Sequence, residues 1–111
     1  MLKNQTLIAR FDVYAHPDVD LRKTTSYLVD VQNSLLGSLT TRIVIPLRSS
    51  KLISSSLRDL NPIFEIADRD VVLDTVAMAA FPTALLKRPA NSFAQYADVI
   101  TGAIDTLLGF H

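Results

Sequence analysis

Tyr27-Leu28-Val29-Asp30-Val31-Gln32, followed after a nine-residue connection by Arg42-Ile43-Val44-Ile45-Pro46-Leu47, is the stretch whose reading decides the fold. In the first segment Tyr27, Val29 and Val31 share one face while Asp30 and Gln32 take the other, the period-two pattern of a half-buried strand. The second repeats it, with Ile43, Ile45 and Leu47 inward. Pro46 has no N–H to give to a ladder and so predicts a sheet edge or a strand end there. The connection from Asn33 to Thr41 reads as a hairpin link, with Gly37 placed to supply a positive φ. Upstream, Phe11-Asp12-Val13-Tyr14 is a strand leading into a loop that starts at His16-Pro17-Asp18 and runs to Thr25. Downstream, Pro62 to Ala67 and Val71 to Thr75 flank Asp68-Arg69-Asp70 as a second hairpin, with Glu65 and Asp74 as candidate cross-strand neighbours. Val76 to Phe81 is expected to extend the second strand of that pair, against the helix propensity of its alanines. Leu52 to Leu60 stays open between a strand and a short helix. At the end of the chain Phe93, Ala97, Ile100, Ile104 and Leu107 recur at helical spacing. Pro89, Asn91 and Ser92 offer a start, and Gly109 offers a left-handed stop. Strands followed by one terminal helix predict a mainly β fold with a C-terminal α-helix, an antiparallel barrel or curled sheet on which the helix docks.

The chain has 111 residues, enough for one domain spanning 1–111. Nearly half of these residues are apolar and a fifth are charged, which supports a packed core. Lys plus Arg and Asp plus Glu both number 11, giving zero net charge. That balance argues against a dedicated nucleic-acid or membrane-surface binder, because phosphate binding is driven by clustered cations. The absence of Cys rules out disulfides, thiolate zinc sites and Cys nucleophiles, and is natural to a cytoplasmic protein. The polar start at Lys3 to Thr6 breaks any secretory signal. The longest uncharged stretch, between Asp74 and Lys87, has twelve residues, short of the about 20 that a membrane span needs.

Chemistry is sparse. The two histidines are His16 in a loop and His111 at the last position. Asp98 and Asp105 are spaced for one helix face, where solvation is the simpler reading than metal binding. Gly37, Gly102 and Gly109 are too scattered for a phosphate-cradling loop. Arg48, Lys51 and Arg58 read as a solvated basic loop. No catalytic residue, metal ligand or cofactor site is assigned. Leu35-Leu36 is different in kind, since two adjacent leucines in a short polar turn do not both face inward. The pair either contacts another protein or caps the end of the barrel. The tail Leu108-Gly109-Phe110-His111 raises the same question, its aromatic being tucked against the core or presented to a partner.

Several segments in order resemble the CcdB family of toxin–antitoxin toxins from Phe11 to the end of the chain. Tyr27 to Gln32 and Arg42 to Leu47 are similar to the family's Val-Asp-Val-Gln and Val-Ile-Pro-Leu blocks. Lys51-Leu52-Ile53-Ser54, Leu60-Asn61-Pro62-Ile63, Ala79-Ala80-Phe81-Pro82 and the helical Ala103-Ile104 follow at matching spacing. The resemblance implies a small SH3-like antiparallel β barrel, a homodimer, and a toxin without chemistry of its own. Such toxins bind the A subunit of bacterial DNA gyrase, trap it on cleaved DNA in plasmid maintenance, and are neutralised by an antitoxin. It places Leu35 and Leu36 at an apolar pair on the gyrase-facing side and Asp105 where the family has Asn. The family ends Trp-Gly-Ile, which this chain replaces with Leu108, Gly109, Phe110 and His111 in one of two registers. The helix face Ile100, Ile104 and Leu107 carries more apolar surface than one small barrel needs, and the resemblance implies a large apolar residue on the dimer axis near Leu107. Ile104 and Leu107 are therefore expected at a dimer interface, the alternative being that all three pack on their own barrel. No cofactor, membrane or sequence-specific nucleic-acid partner is implied. Two alternatives are a degenerate relative that still binds antitoxin without poisoning gyrase, and an endoribonuclease of related barrel fold using Arg42 or Arg48 with a nearby Asp.

Overall fold

The computed structural model describes residues 9–52, 57 and 59–109. Seven strands are joined in one antiparallel sheet: β1 (Asp12–Ala15), β2 (Thr25–Asp30), β3 (Thr41–Ser49), β4 (Ile63–Ile66), β5 (Arg69–Leu73), β6 (Ala79–Pro82) and β7 (Asn91–Ser92). Among the described residues a single α-helix, α1 (Ala97–Leu108), follows the strands. The order β4-β5-β3-β2-β1-β7, with β6 also on β3, makes a curled half-barrel whose two ends are β4 and β7. This is the strand-rich, helix-terminated architecture that the alternation predicts.

The two deciding segments pair as expected, Val29 opposite Ile45 and Tyr27 opposite Leu47. Val13, Val29, Ile45, Leu47 and Leu73 of the inner face are fully buried. Helix α1 closes over this face with Ile100 and Ala103, both at zero exposure. Phe64, Phe93 and Tyr96 pack beside it with ring centroids 4.8 to 5.2 Å apart. Burying one such side chain contributes about 1.5 to 3 kcal/mol, so α1 is held by its apolar stripe and not by helix propensity.

Several local expectations are corrected. Pro46 lies inside the nine-residue β3, opposite Leu28. Its carbonyl accepts from Asp74 N–H, so its missing N–H points to the same side, the gap between β6 and β5 where no ladder bond is required. The chain from Val76 to Phe81 does follow the line of β5 along β3, but a 3-10 turn at Thr75–Ala77 interrupts it before β6 begins. The second hairpin turns at Ala67 and Asp68, with φ of 52° and 64°, and Arg69 already belongs to β5. Both left-handed values suit a two-residue type I′ connection. Glu65 accordingly faces Asp70, not Asp74. Gly37 has φ −65°, so no positive φ is needed there. Asn91 and Ser92 pair with β1 and do not start the helix, although Ser92 Oγ still caps Ala94 N–H at 3.3 Å. Gly109 stops α1 at φ 77°, its N–H given to Asp105 O at 2.8 Å, as the sequence predicts. Most of the ambiguous Leu52 to Leu60 stretch lies outside the described residues.

The outer face of the sheet departs most from the simple alternation. Tyr14, Leu28 and Val44 are buried there beneath Leu86 and Phe81 in a second, smaller cluster. Asp30 and Arg42, at zero exposure, are buried on the same face. A strand pattern of one apolar and one polar face therefore hides two buried faces here, the second sealed by residues far along the chain.

Candidate protein-interaction site

The β2–β3 connection is built on that buried pair. Arg42 Nε donates to Asp30 Oδ2 at 2.8 Å and Arg42 Nη2 donates to Asp30 Oδ1 at 3.0 Å, a two-point contact. Arg42 Nη2 also reaches the carbonyl of Gln32 at 3.0 Å. Gln32 N–H donates to Asp30 Oδ1 and Gln32 Oε1 accepts from Ile43 N–H, so both exits from the ladder are fixed by side chains. Arg42 Nη1 is buried with no hydrogen-bond partner among the described residues.

Beyond this base, Asn33 Oδ1 accepts from Leu35 N–H at 2.9 Å and starts a 3-10 turn over Ser34–Leu36. Asn favours such a position because its carbonyl oxygen takes up an otherwise unpaired N–H. Arg10 N–H donates to Ser34 Oγ, and Thr83 holds the far side by donating its hydroxyl to Leu39 O and its N–H to Thr40 O. The backbone is thus tied at several points while Leu35, Leu36 and Leu39 are 88%, 46% and 49% exposed. Both members of the predicted leucine pair face solvent, and neither caps the core. Leu39 was not singled out from the sequence, although it lies three residues beyond Leu36 in the same polar turn.

The helix residues lie on a different element. Leu108 is exposed, Asp105 and Leu107 are half-buried, and Ile104 packs against the main core. Ile100 is consumed entirely by its own sheet and adds nothing to an outward face. Gly109 ends the helix, while Phe110 and His111 lie outside the described residues.

Electrostatics below the loop follow burial. Asp12 sits across from Asp30 on the outer face, and desolvation with that neighbouring charge raises its pKa above the usual carboxylate value. Burial and the same two carboxylates raise Tyr14. His16 is not a solvated loop residue. It is 7% exposed, accepts from Asp18 N–H through Nδ1, and meets Phe81 edge-on at 5.8 Å, while desolvation lowers its pKa. Arg42, the arginine that an acid–base reading would recruit, is sealed from any substrate, whereas Arg48 pairs with Asp74 at 2.8 Å nearer the surface.

Among the described residues, a small curled sheet is capped by one helix and carries a braced turn on which Leu35, Leu36 and Leu39 are exposed. No helix among the described residues is long and apolar enough to cross a membrane. A family model described as CcdB protein matches residues 10–109, nearly the whole chain. The chain belongs to the CcdB family, the toxin members of toxin–antitoxin pairs.

Proposed function

We propose that this protein is a toxin that acts without catalysis, by binding the A subunit of DNA gyrase and holding it on cleaved DNA, and that a cognate antitoxin neutralises it. The observation that carries this reading is the exposure of Leu35 and Leu36 on a turn fixed by Asn33, Arg10 and Thr83, in a chain that matches the family from 10 to 109. Exposed apolar side chains carried on a backbone held in one conformation spare the loop-ordering part of the entropy cost of binding. Asp105, Leu108 and Gly109 at the helix end, with Phe110 and His111 beyond it, form the second part of the proposed gyrase surface. Ile104 and Leu107 are proposed at the contact between two copies of the chain.

The test adds purified protein to gyrase, supercoiled DNA and ATP. A cleavage complex is expected, and Leu35→Asp with Leu36→Asp should abolish it without changing the melting temperature, since neither side chain supports the core. If wild-type protein neither binds the A subunit nor yields cleaved DNA, the target is wrong. If it binds antitoxin all the same, the degenerate reading stands. Phe110→Ala separates the roles of the tail: lost affinity with unchanged melting makes Phe110 an anchor, and the reverse makes it a staple on the helix end.

A further inference from the structure

The basic residues of the central region do not act as one solvated loop. Arg48 is committed to Asp74, and Arg58 lies outside the described residues. Lys51 instead joins Lys23 and Arg69 around a cavity of about 560 Å³ that Ser26, Ser49 and Ser50 also line. The cavity opens where β2, β3 and β5 come together, at the Thr25–Ser49 end of the ladder and so opposite the leucine turn. Its shape has a local cause. Ser26 is an extra residue between the pairs Thr25–Arg48 and Tyr27–Leu47, a β-bulge that breaks the regular ladder beside the cavity.

Among the described residues, Lys23, Lys51 and Arg69 have no carboxylate within ion-pair distance. Among the described lining residues Asp70 is the one acidic side chain. The lining therefore carries a net charge of +2 in a chain whose total is zero. Ser49 Oγ accepts from Lys51 N–H at 3.4 Å, which leaves its hydroxyl proton for a ligand. Three cations and a group of hydroxyls suit an oxyanion of two negative charges, and the cavity has room for an organic group attached to it. None of the described lining residues is aromatic, so the recognition proposed rests on charge and hydroxyl donors and not on stacking.

We propose that this cavity is an anion site for the phosphate dianion of a small phosphomonoester, bound by Lys23, Lys51 and Arg69 with the Ser49 and Ser50 hydroxyls as further donors, the Ser26 hydroxyl being given to Arg22 O. The site is separate from the leucine turn and does not depend on the gyrase reading.

The probes are inorganic phosphate and ribose 5-phosphate, titrated at about pH 8, where both are dianions, against the isotope-labelled full chain and followed by amide NMR shifts. Saturable shifts are expected at Ser26, Ser49, Ser50, Lys51 and Arg69. Lys51→Ala and Arg69→Ala should each weaken binding about tenfold, the loss expected for one charge-assisted hydrogen bond. Asp70→Asn should tighten it, an effect of opposite sign that a merely structural role would not produce. Tighter binding of ribose 5-phosphate identifies the organic monoester as the ligand class, and tighter binding of phosphate identifies the free ion; either keeps the anion site. Shifts that rise linearly, that sodium chloride reproduces at equal ionic strength, or that survive Lys51→Glu would overturn it. All four variants change exposed side chains, and their melting temperatures should match that of the parent.

Discussion

Replacing Arg42 by Met tests whether the buried pair holds the β2–β3 connection in place. Arg42 and Asp30 are both at zero exposure, so the variant leaves the Asp30 carboxylate inside the protein with Gln32 N–H as its remaining donor. Breaking a buried ion pair by removing one partner costs about 3 to 5 kcal/mol. That is a large part of the about 5 to 15 kcal/mol by which a small domain is stable. With a shift of about 4 to 8 °C per kcal/mol for a chain of this size, Arg42→Met should melt at least about 12 °C lower. The double variant Asp30→Leu with Arg42→Met removes both charges and also the unpartnered Nη1 of Arg42. It should recover most of the loss, because replacing a buried pair by apolar groups is often neutral or favourable. Urea unfolding of the four proteins in this cycle gives the coupling energy directly. A loss below about 1 kcal/mol in Arg42→Met, the range of exposed pairs, would refute the argument that this pair is desolvated and structural. If the pair also positions the leucine turn through Gln32, partner affinity should fall in Arg42→Lys even where that variant stays folded, since an ammonium cannot keep the two-point contact.

His16 and Asp12 predict opposite pH trends. The folded-state pKa of His16 is lowered, so the unfolded chain binds the proton more readily and stability falls as pH drops through the unfolded value of about 6.5 toward the lowered one. His16→Asn keeps an acceptor for Asp18 N–H and should remove that slope in urea unfolding at pH 7 and pH 5; an unchanged slope would show that another group is responsible. The raised pKa of Asp12 works the other way, with stability lost as pH rises from the unfolded value near 3.8 through the raised one, and Asp12→Asn should abolish this acid-side trend. Ala67→Asn with Asp68→Gly supplies the residues preferred at two successive left-handed φ values and should stabilise the protein by about 1 to 2 kcal/mol in thermal unfolding, an absence of gain arguing against the I′ turn. Gly109→Ala meets no atom within 4 Å but must hold φ 77°, so about 1 kcal/mol of destabilisation is expected from backbone strain alone, and a neutral result would mean that the helix ends differently.

The candidate site was legible in part. Adjacent leucines in a polar turn announce exposure, because alternation cannot bury both, and the structure has Leu35 and Leu36 in solvent. Leu39, three residues further in the same turn, obeys the same logic and is also exposed. The grouping of Lys51 with Lys23 and Arg69 was not legible, since the three lie on separate segments that only the curl of β2, β3 and β5 assembles. Arg48, a sequence neighbour of Lys51, is drawn off by Asp74 instead.

The sequence by itself determined the elements whose causes are local. Period-two alternation set β2 and β3 and their inner faces. The apolar recurrence from Phe93 to Leu107 set the helix, although a 3-10 turn at Ala94–Tyr96 leaves Phe93 outside α1, and Gly109 set its end, where only a residue without a side chain enters the left-handed region freely. What the tertiary structure alone decided is the fate of the outer face. Alternation says which side chains share a side of a strand but not what covers that side. Asp30 and Arg42 read as solvent-facing, but β6 and the turn after it bring Phe81 and Leu86 over the face that Tyr14, Leu28 and Val44 share with them. Pro46 follows the same rule, being tolerated inside the longest strand because β5 and β6 happen to part opposite its missing N–H. Burial of a polar group and the partner of a strand are set by residues remote in sequence, and no local pattern carries that information.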